Sequence, residues 1–140
     1  MSPAGPGLRR EVQRRASDRC EYCGLAQAGQ EATFHIDHVT PKSAGGADEL
    51  ENLALACVSC SLRKSARLQA VDPMTGEAVP LFSPRKHRWS DHFRWSGVSM
   101  VGRTATGRAT VEALQLNRPL IQAIRTEEIL RGRHPPPESR

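Results

Sequence analysis

At 140 residues, the chain is long enough for one domain with a modest core and an appendage. Only 4% of the residues are aromatic, so the core is thin, and small folds of this kind are commonly stapled by a structural metal. The formal charge of +5 favours polyanionic partners, nucleic acid first among them. No apolar run approaches the roughly 18 residues that cross a bilayer, and nothing resembles a signal peptide, which excludes a membrane partner and predicts a cytoplasmic protein.

The N-terminal region predicts a disordered leader over residues 1–7, followed by a helix from Leu8 to Asp18. Three apolar residues recur every four positions and form one narrow stripe: Leu8, Val12 and Ala16. The arginines between them then point outward. We interpret Arg14 and Arg15 as candidate phosphate contacts, although a plain solvated face explains the same pattern.

The middle of the chain predicts two strands and a helix. Thr33 to Val39 is rich in β-branched and aromatic residues and therefore reads as a strand, which Pro41 ends. After a glycine-containing loop, the apolar segment 50–56 is short enough to pair back on that strand. A helix to about Ala70 follows, so the local order is strand, loop, short strand, helix.

The C-terminal part predicts a basic and mostly helical extension. The expected elements are a turn between two short extended pieces over 71–79, a strand over Val98–Val101, and helices over Thr106–Asn117 and Pro119–Leu130. We therefore predict a core over 8–84, an extension over 85–132 packed on it, and a disordered tail over 133–140. Three aromatic residues lie among arginines and either form an aromatic core or stack on bases: Trp89, Phe93 and Trp95.

All four cysteines fall into two Cys-x-x-Cys pairs, Cys20 with Cys23 and Cys57 with Cys60. Four thiolates satisfy a closed tetrahedral zinc site, and a two-residue gap lets both sulfurs of a pair face one ion. A reducing compartment favours metal over disulfides. A thioredoxin-like redox role needs a βαβ setting that the sequence lacks. We therefore predict a structural zinc ion, and not a catalytic one, because four thiolates leave no open position.

Between the cysteine pairs lie Asp37, His38 and Asn52, the residue types that phosphodiester hydrolysis requires. Histidine can deprotonate water near neutral pH, and a carboxylate binds a hard divalent ion. Asn52 can orient the base or its loop. Taken singly, each residue also fits a turn or a loop, but their combination between two zinc knuckles favours a catalytic site.

Several motifs together resemble those of the HNH endonucleases, an α+β family with a ββα-metal core. They are Cys-Glu-Tyr-Cys-Gly at 20–24, Ile-Asp-His-Val-x-Pro at 36–41, Gly45-Gly46, Leu-x-Asn-Leu at 50–53 and Cys-x-x-Cys-x-x-x-Lys at 57–64. The resemblance implies that Asp37 binds a catalytic Mg²⁺ or Mn²⁺ ion, that His38 is the general base, and that Asn52 is the structural middle residue. It also implies DNA as the substrate, for which we expect the double-stranded form.

The third motif position departs from the pattern of the family. It usually holds His or Asn as a metal ligand, and here it is Ser61. Three outcomes follow: Ser61 serves as the ligand, another residue such as His35 or His92 completes the site, or the site is weakened or inactive. Strand alternation places His35 on the face of Asp37, although a histidine that only packs or hydrogen-bonds would look the same.

Six basic residues around the motifs are candidate nucleic-acid contacts: Arg14, Arg15, Lys42, Arg63, Lys64 and Arg67. The resulting prediction is a DNA endonuclease or nickase with one structural zinc, which could also form a homodimer. Two alternatives stay open. One is a non-catalytic zinc-stapled module that binds nucleic acid, and the other is an accessory protein whose C-terminal helices form an interaction surface.

Overall fold

A computed structural model describes residues 5–137 of the chain. The described residues divide into two compact units. The first unit comprises the described residues up to 66 together with 83–85, and the second comprises residues 67–82 and those from 86 onward. Residues 67–82 therefore group with the C-terminal part of the chain, whereas the sequence placed them in the core over 8–84.

The first unit is built from two helices and one hairpin. Its elements are α1 (Pro6–Arg15), β1 (His35–His38), β2 (Leu53–Ala56) and α2 (Val58–Lys64). Helix α1 begins inside the predicted leader because proline is well tolerated in a first turn, where no helical N–H bond is lost. Residues 1–4 of that leader lie outside the described residues.

Strands β1 and β2 pair in antiparallel register, with His35 opposite Ala56 and His38 opposite Leu53. All four residues of β2 are buried, because α1 and α2 also pack against this strand. From the predicted apolar stripe of α1, Val12 and Ala16 are fully buried. The order β1, β2, α2 confirms the predicted α+β class with a ββα unit.

Helix α2 is shorter than the sequence predicts. It ends at Lys64, because Ser65 adopts a positive φ of 51° that does not continue a right-handed helix. Leu62 and Leu68, which suggested a longer apolar stripe, are both exposed. The residues that α2 buries instead are Cys60 and Lys64, so hydrophobic periodicity was misleading here.

The second unit contains two hairpins and three helices. Its elements are β3 (Gln69–Val71), β4 (Ala78–Pro80), α3 (Trp89–His92), β5 (Phe93–Ser96), β6 (Ser99–Gly102), α4 (Ala105–Ala113) and α5 (Pro119–Leu130). Strand β3 pairs with β4, and β5 pairs with β6, both in antiparallel register. Buried apolar residues from β5 onward form its core: Phe93, Met100, Ala109, Leu114, Leu116 and Ile121.

The aromatic residues of this unit contact one another. The Trp89 and Trp95 rings stack at a centroid distance of 5.4 Å, and Phe93 lies 5.4 Å from Trp89. The guanidinium of the buried Arg125 lies 4.8 Å from the centre of the Trp95 ring. Of the two interpretations of these aromatics, the structure favours an aromatic cluster over a free stacking platform.

The C-terminal residues that the structure describes also make contacts. Arg133, where the tail was predicted to begin, pairs with Glu128 through two hydrogen bonds of 2.9 and 2.8 Å. His134 contacts the carbonyl of Gly97 at 2.9 Å. Residues 138–140 lie outside the described part of the chain.

Among residues 5–137, none of the helices combines the length and the apolar character that a membrane crossing requires.

Candidate active site

The four cysteines converge at one point in the first unit. All four Sγ atoms are buried and lie within 4.8 Å of one another, and the Cys23 and Cys57 sulfurs are 3.7 Å apart. Four ligands at a Zn–S distance of about 2.3 Å in a tetrahedron are separated by about 3.8 Å, so this spacing suits zinc. Each Cys-x-x-Cys pair also has a backbone N–H that points at its first sulfur, at 3.4 Å in both cases.

The electrostatics of the cluster bear on whether its sulfurs can all be ionised. Burial raises the pKa of the Cys20 thiol, with a further contribution from the neighbouring sulfurs. Four thiolates therefore cannot coexist in this position unless a metal ion compensates their charge. The predicted convergence of the cysteines is confirmed, and the donor set is compatible with a closed zinc site.

Asp37 lies on β1 and is only 7% exposed. Its Oδ2 atom accepts a hydrogen bond of 2.9 Å from the Tyr22 hydroxyl and lies 3.2 Å from the Lys64 ammonium, whose side chain is 2% exposed. Burial raises the pKa of the Asp37 carboxyl, while Lys64 acts in the opposite direction. The contacts among the described residues engage Oδ2 alone, which leaves Oδ1 as the oxygen that can bind an ion.

Tyr22 and Lys64 join Asp37 to the rest of the site. Tyr22 lies between the two cysteines of the first knuckle, so its hydroxyl connects the cysteine cluster to the carboxylate. The Lys64 ammonium also donates to the backbone carbonyl of His38, at 3.0 Å. The buried Lys64 ammonium thus fixes both Asp37 and His38 at the end of β1.

His38 contacts a residue that the sequence analysis missed. Its Nε2 lies 2.6 Å from Oδ1 of Asp48, and this carboxylate also pairs with the exposed Lys42 at 3.4 Å. The contact with His38 holds the pKa of Asp48 below its ordinary value, and Lys42 contributes in the same direction. The only sequence signal for Asp48 was a carboxylate in the loop after the glycine pair, and loop residues of this type are common.

Asn52 fastens the loop that follows β1. Its Oδ1 accepts from the backbone N–H of Thr40 at 2.8 Å, and its Nδ2 donates to the carbonyls of Thr40 and Ala47 at 2.9 and 3.0 Å. Gly46 is packed so closely that an added Cβ would lie 1.8 Å from the Thr40 oxygen. Asn52 therefore bonds to the backbone of the loop and fixes the position of the segment directly after His38.

Ser61, at the third motif position, contacts a histidine. Its hydroxyl oxygen lies 3.0 Å from Nδ1 of His35, the first residue of β1. The other histidine that the sequence offered for this role, His92, belongs to the second unit and contacts the Thr104 hydroxyl at 2.6 Å. Asp37 and Ser61 offer oxygen donors that suit Mg²⁺ or Mn²⁺, and His35 adds an imidazole that suits Mn²⁺, so the chemistry of these donors fits a divalent ion.

The predicted phosphate contacts fall into two groups. Arg14, Lys42 and Arg63 are exposed in the first unit, and Arg67 is exposed in the second. Lys64 is buried against Asp37, so its ammonium is not available to a phosphate in this fold.

Arg15 is also engaged, because its guanidinium donates to the carbonyls of Leu50, at 2.7 Å, and Leu53. For Arg15 and Lys64 the structure therefore replaces a phosphate contact with a structural one.

Comparison with known families gives one match. Residues 20–67 match the sequence model of the HNH endonuclease family. The match covers about a third of the 140-residue chain and includes both cysteine pairs, β1, β2 and α2. No curated protein and no solved structure matches the chain.

Proposed function

We propose that this chain, whose residues 20–67 form an HNH domain, is a metal-dependent endonuclease that hydrolyses phosphodiester bonds in DNA. One observation carries the proposal. The buried Lys64 ammonium contacts both the Asp37 carboxylate and the backbone of His38, at 3.2 and 3.0 Å, and so holds the two key residues of the motif in a fixed relation. Catalysis depends on such fixed geometry.

His38 acts as the general base. If Nε2 carries the proton and donates to Asp48, the Nδ1 lone pair is left to accept a proton from water. Asp37 would hold the divalent ion together with a donor from the contacting pair Ser61 and His35, and the bound ion would supply charge neutralisation at the scissile phosphate. Asn52 keeps the loop after His38 in place through its three backbone contacts.

Zinc at the cysteine cluster is structural in this proposal. Its four sulfur ligands leave no position for water or substrate, so the two metal sites have separate tasks. Reduced thiolates of this kind fit a cytoplasmic location, which we retain as a prediction, as we do a homodimer.

DNA contacts come from the exposed basic residues Arg14, Lys42, Arg63 and Arg67. We expect double-stranded DNA, bound through its phosphates and therefore more weakly as salt rises. Phosphate contacts position a nuclease on the duplex without selecting a sequence.

Plasmid cleavage tests this proposal. Zinc-loaded protein is incubated with supercoiled plasmid and Mg²⁺, Mn²⁺ or chelator, and nicked and linear products are quantified. We expect metal-dependent cutting that His38→Ala reduces by about 10²- to 10⁴-fold, the usual contribution of a general base. His134→Ala, a histidine of the second unit, is the matched control and should cut at the wild-type rate. Equal cutting by His38→Ala and wild type would contradict the assigned base.

A non-catalytic nucleic-acid-binding module is the second candidate. It is favoured by Ser61 at a position that usually holds His or Asn, and by Lys64, which already compensates the charge of Asp37. This alternative predicts salt-sensitive binding of a fluorescent duplex by wild type and by His38→Ala alike, with no cleavage in either metal. Cleavage by wild type excludes it.

A further inference from the structure

We propose that His35, and not Ser61, is the third-position ligand of the catalytic divalent ion. Ser61 instead orients the His35 ring. This inference rests on the proposed function, because it concerns the same metal site. It moves the third ligand from helix α2 to strand β1.

The pairing of β1 with α2 is the first argument. His35 and Asp37 are two residues apart on a strand, so their side chains share a face. Ser61 and Lys64 are three residues apart on a helix and also share a face. The two faces meet in two matched contacts, His35 with Ser61 at 3.0 Å and Asp37 with Lys64 at 3.2 Å.

Strand β2 explains why the helix can come so close. The residues opposite His35 and Asp37 are Ala56 and Ala54, both fully buried. Opposite residues of an antiparallel pair lie on the same face, so only methyl groups stand beside the two ligand candidates. No polar group of β2 competes for either of them.

The ring nitrogens of His35 give the second argument. Metal-bound histidines usually ligate through one nitrogen while the other donates its proton to a nearby oxygen, which fixes the tautomer and the ring orientation. The contacts of His35 with described residues use Nδ1 alone, and its partner is the Ser61 hydroxyl. Nε2 is therefore the nitrogen left for an ion.

Ligand chemistry makes the exchange of roles reasonable. A serine hydroxyl is a weak neutral ligand but a good hydrogen-bond partner for imidazole. An imidazole nitrogen suits Mn²⁺ better than the harder Mg²⁺, which prefers oxygen. The arrangement thus predicts that this chain binds Mn²⁺ in clear preference to Mg²⁺.

Manganese spectroscopy on the zinc-loaded full chain tests the inference. Electron paramagnetic resonance measures free Mn²⁺ during a titration, and spin-echo modulation detects a nitrogen directly bound to Mn²⁺. We expect nitrogen modulation in wild type, in Ser61→Ala and in His38→Ala, but not in His35→Ala. We also expect His35→Ala to weaken Mn²⁺ binding at least about tenfold, and Ser61→Ala to weaken it less.

A rescue variant separates ligation from folding. His35→Ala combined with Ser61→His moves an imidazole to the helix, and it should regain Mn²⁺ affinity and nitrogen modulation. Zinc content and circular dichroism show whether each variant is folded, and the wild-type spectrum needs no variant at all. Bound Mn²⁺ without nitrogen modulation in wild type, or with modulation retained in His35→Ala, would overturn this inference alone. A wild-type chain that binds no Mn²⁺ would overturn it together with the proposed nuclease.

Discussion

The two units of this protein are stabilised in different ways. The first buries four cysteines whose sulfurs lie within 4.8 Å of one another, an arrangement that suits a tetrahedral metal ion. The second contains no such cluster among its described residues but, like the first with Asp37 and Lys64, buries charged side chains beside their partners. Asp72, fully buried, receives two hydrogen bonds from Arg108 at 3.0 and 2.8 Å, and Arg125, also fully buried, donates to the carbonyl of Val98 at 2.9 Å.

This difference shows where each unit is vulnerable. Tyr22 of the first knuckle holds Asp37, so we expect the geometry of the candidate active site to depend on a metal ion bound by the cysteines. The second unit depends on side chains that the chain itself provides. Metal removal, charge removal and acid should therefore destabilise the two units to different extents.

Zinc removal should have the largest effect. Structural zinc contributes on the order of 10 kcal/mol of apparent binding energy, comparable with the whole stability of a small domain. A strong chelator should therefore abolish hydrogen-exchange protection over residues 20–64 and leave that of residues 86–130 largely intact.

Cys60→Ser should reproduce this pattern without a chelator, whereas Ser59→Ala, on the same turn, should retain wild-type protection. Exchange is read by mass spectrometry of the full chain, and added zinc should restore the chelated protein. Loss of protection in both units at once would show that the second unit also depends on the zinc site.

Removal of the buried Lys64 ammonium in the first unit should have the next largest effect. Lys64→Met leaves the Asp37 carboxylate buried without its partner, a change that typically costs about 3–5 kcal/mol. Lys42→Met removes an exposed partner of Asp48 and should cost no more than about 1 kcal/mol.

Urea unfolding of the zinc-loaded variants gives both values. The double variant Asp37→Asn with Lys64→Met should recover part of the loss, because it removes the unpaired charge. If Lys64→Met and Lys42→Met were equally stable, the buried pair would not hold the site together.

The features that could be predicted from the sequence are those that short motifs determine. Two Cys-x-x-Cys pairs have few ways to satisfy four thiolates, so the cysteine cluster and the ββα order could be predicted. The burial of Lys64 could not, because it depends on which face of α2 meets β1, and a lysine after a polar turn resembles a surface residue. The contact of His38 with Asp48 depends on a loop conformation that no periodicity encodes.

The assignment of residues 67–82 to the second unit could not be predicted for a different reason. Their hairpin joins the second unit through distant partners, such as Arg108 for Asp72, which lies 36 positions away in sequence. Local composition predicted the turn correctly and carried no information about its partner. Contacts of this range arise from tertiary packing and cannot be read from a single sequence.

Two closely packed glycines offer a smaller and more local test. A Cβ at Gly46 would lie 1.8 Å from the Thr40 oxygen, and one at Gly107 would lie 2.1 Å from the His92 oxygen. Because backbone must shift in both cases, each Gly→Ala change should cost about 1–3 kcal/mol in its own unit.

Only Gly46→Ala moves the loop that Asn52 fastens, so it should also lower plasmid cleavage per folded molecule. Gly7→Ala is the control, since its Cβ would meet nothing closer than 4.0 Å and alanine favours a helix. Unchanged cleavage in Gly46→Ala would show that the loop does not position His38.

The smallest effect should be that of acid on the contact between Asp72 and Arg108 in the second unit. The hydrogen bonds from Arg108 hold the pKa of Asp72 well below its ordinary value near 3.9. A carboxyl group with a lowered folded pKa adds stability that is fully present above its unfolded pKa and is lost as the pH falls through the folded value. We therefore expect the exchange protection of residues 69–80 to decline below about pH 4.

Asp72→Asn should be less stable near neutral pH and should lose this pH dependence, whereas Glu77→Gln, an exposed carboxyl on the same hairpin, should retain it. The measurement must be taken from the second unit, because acid also protonates the thiolates of the first and releases zinc. If Asp72→Asn kept the wild-type decline, another carboxyl group would have to stabilise the hairpin, and Asp72 would not be the ionic contact on which the second unit depends.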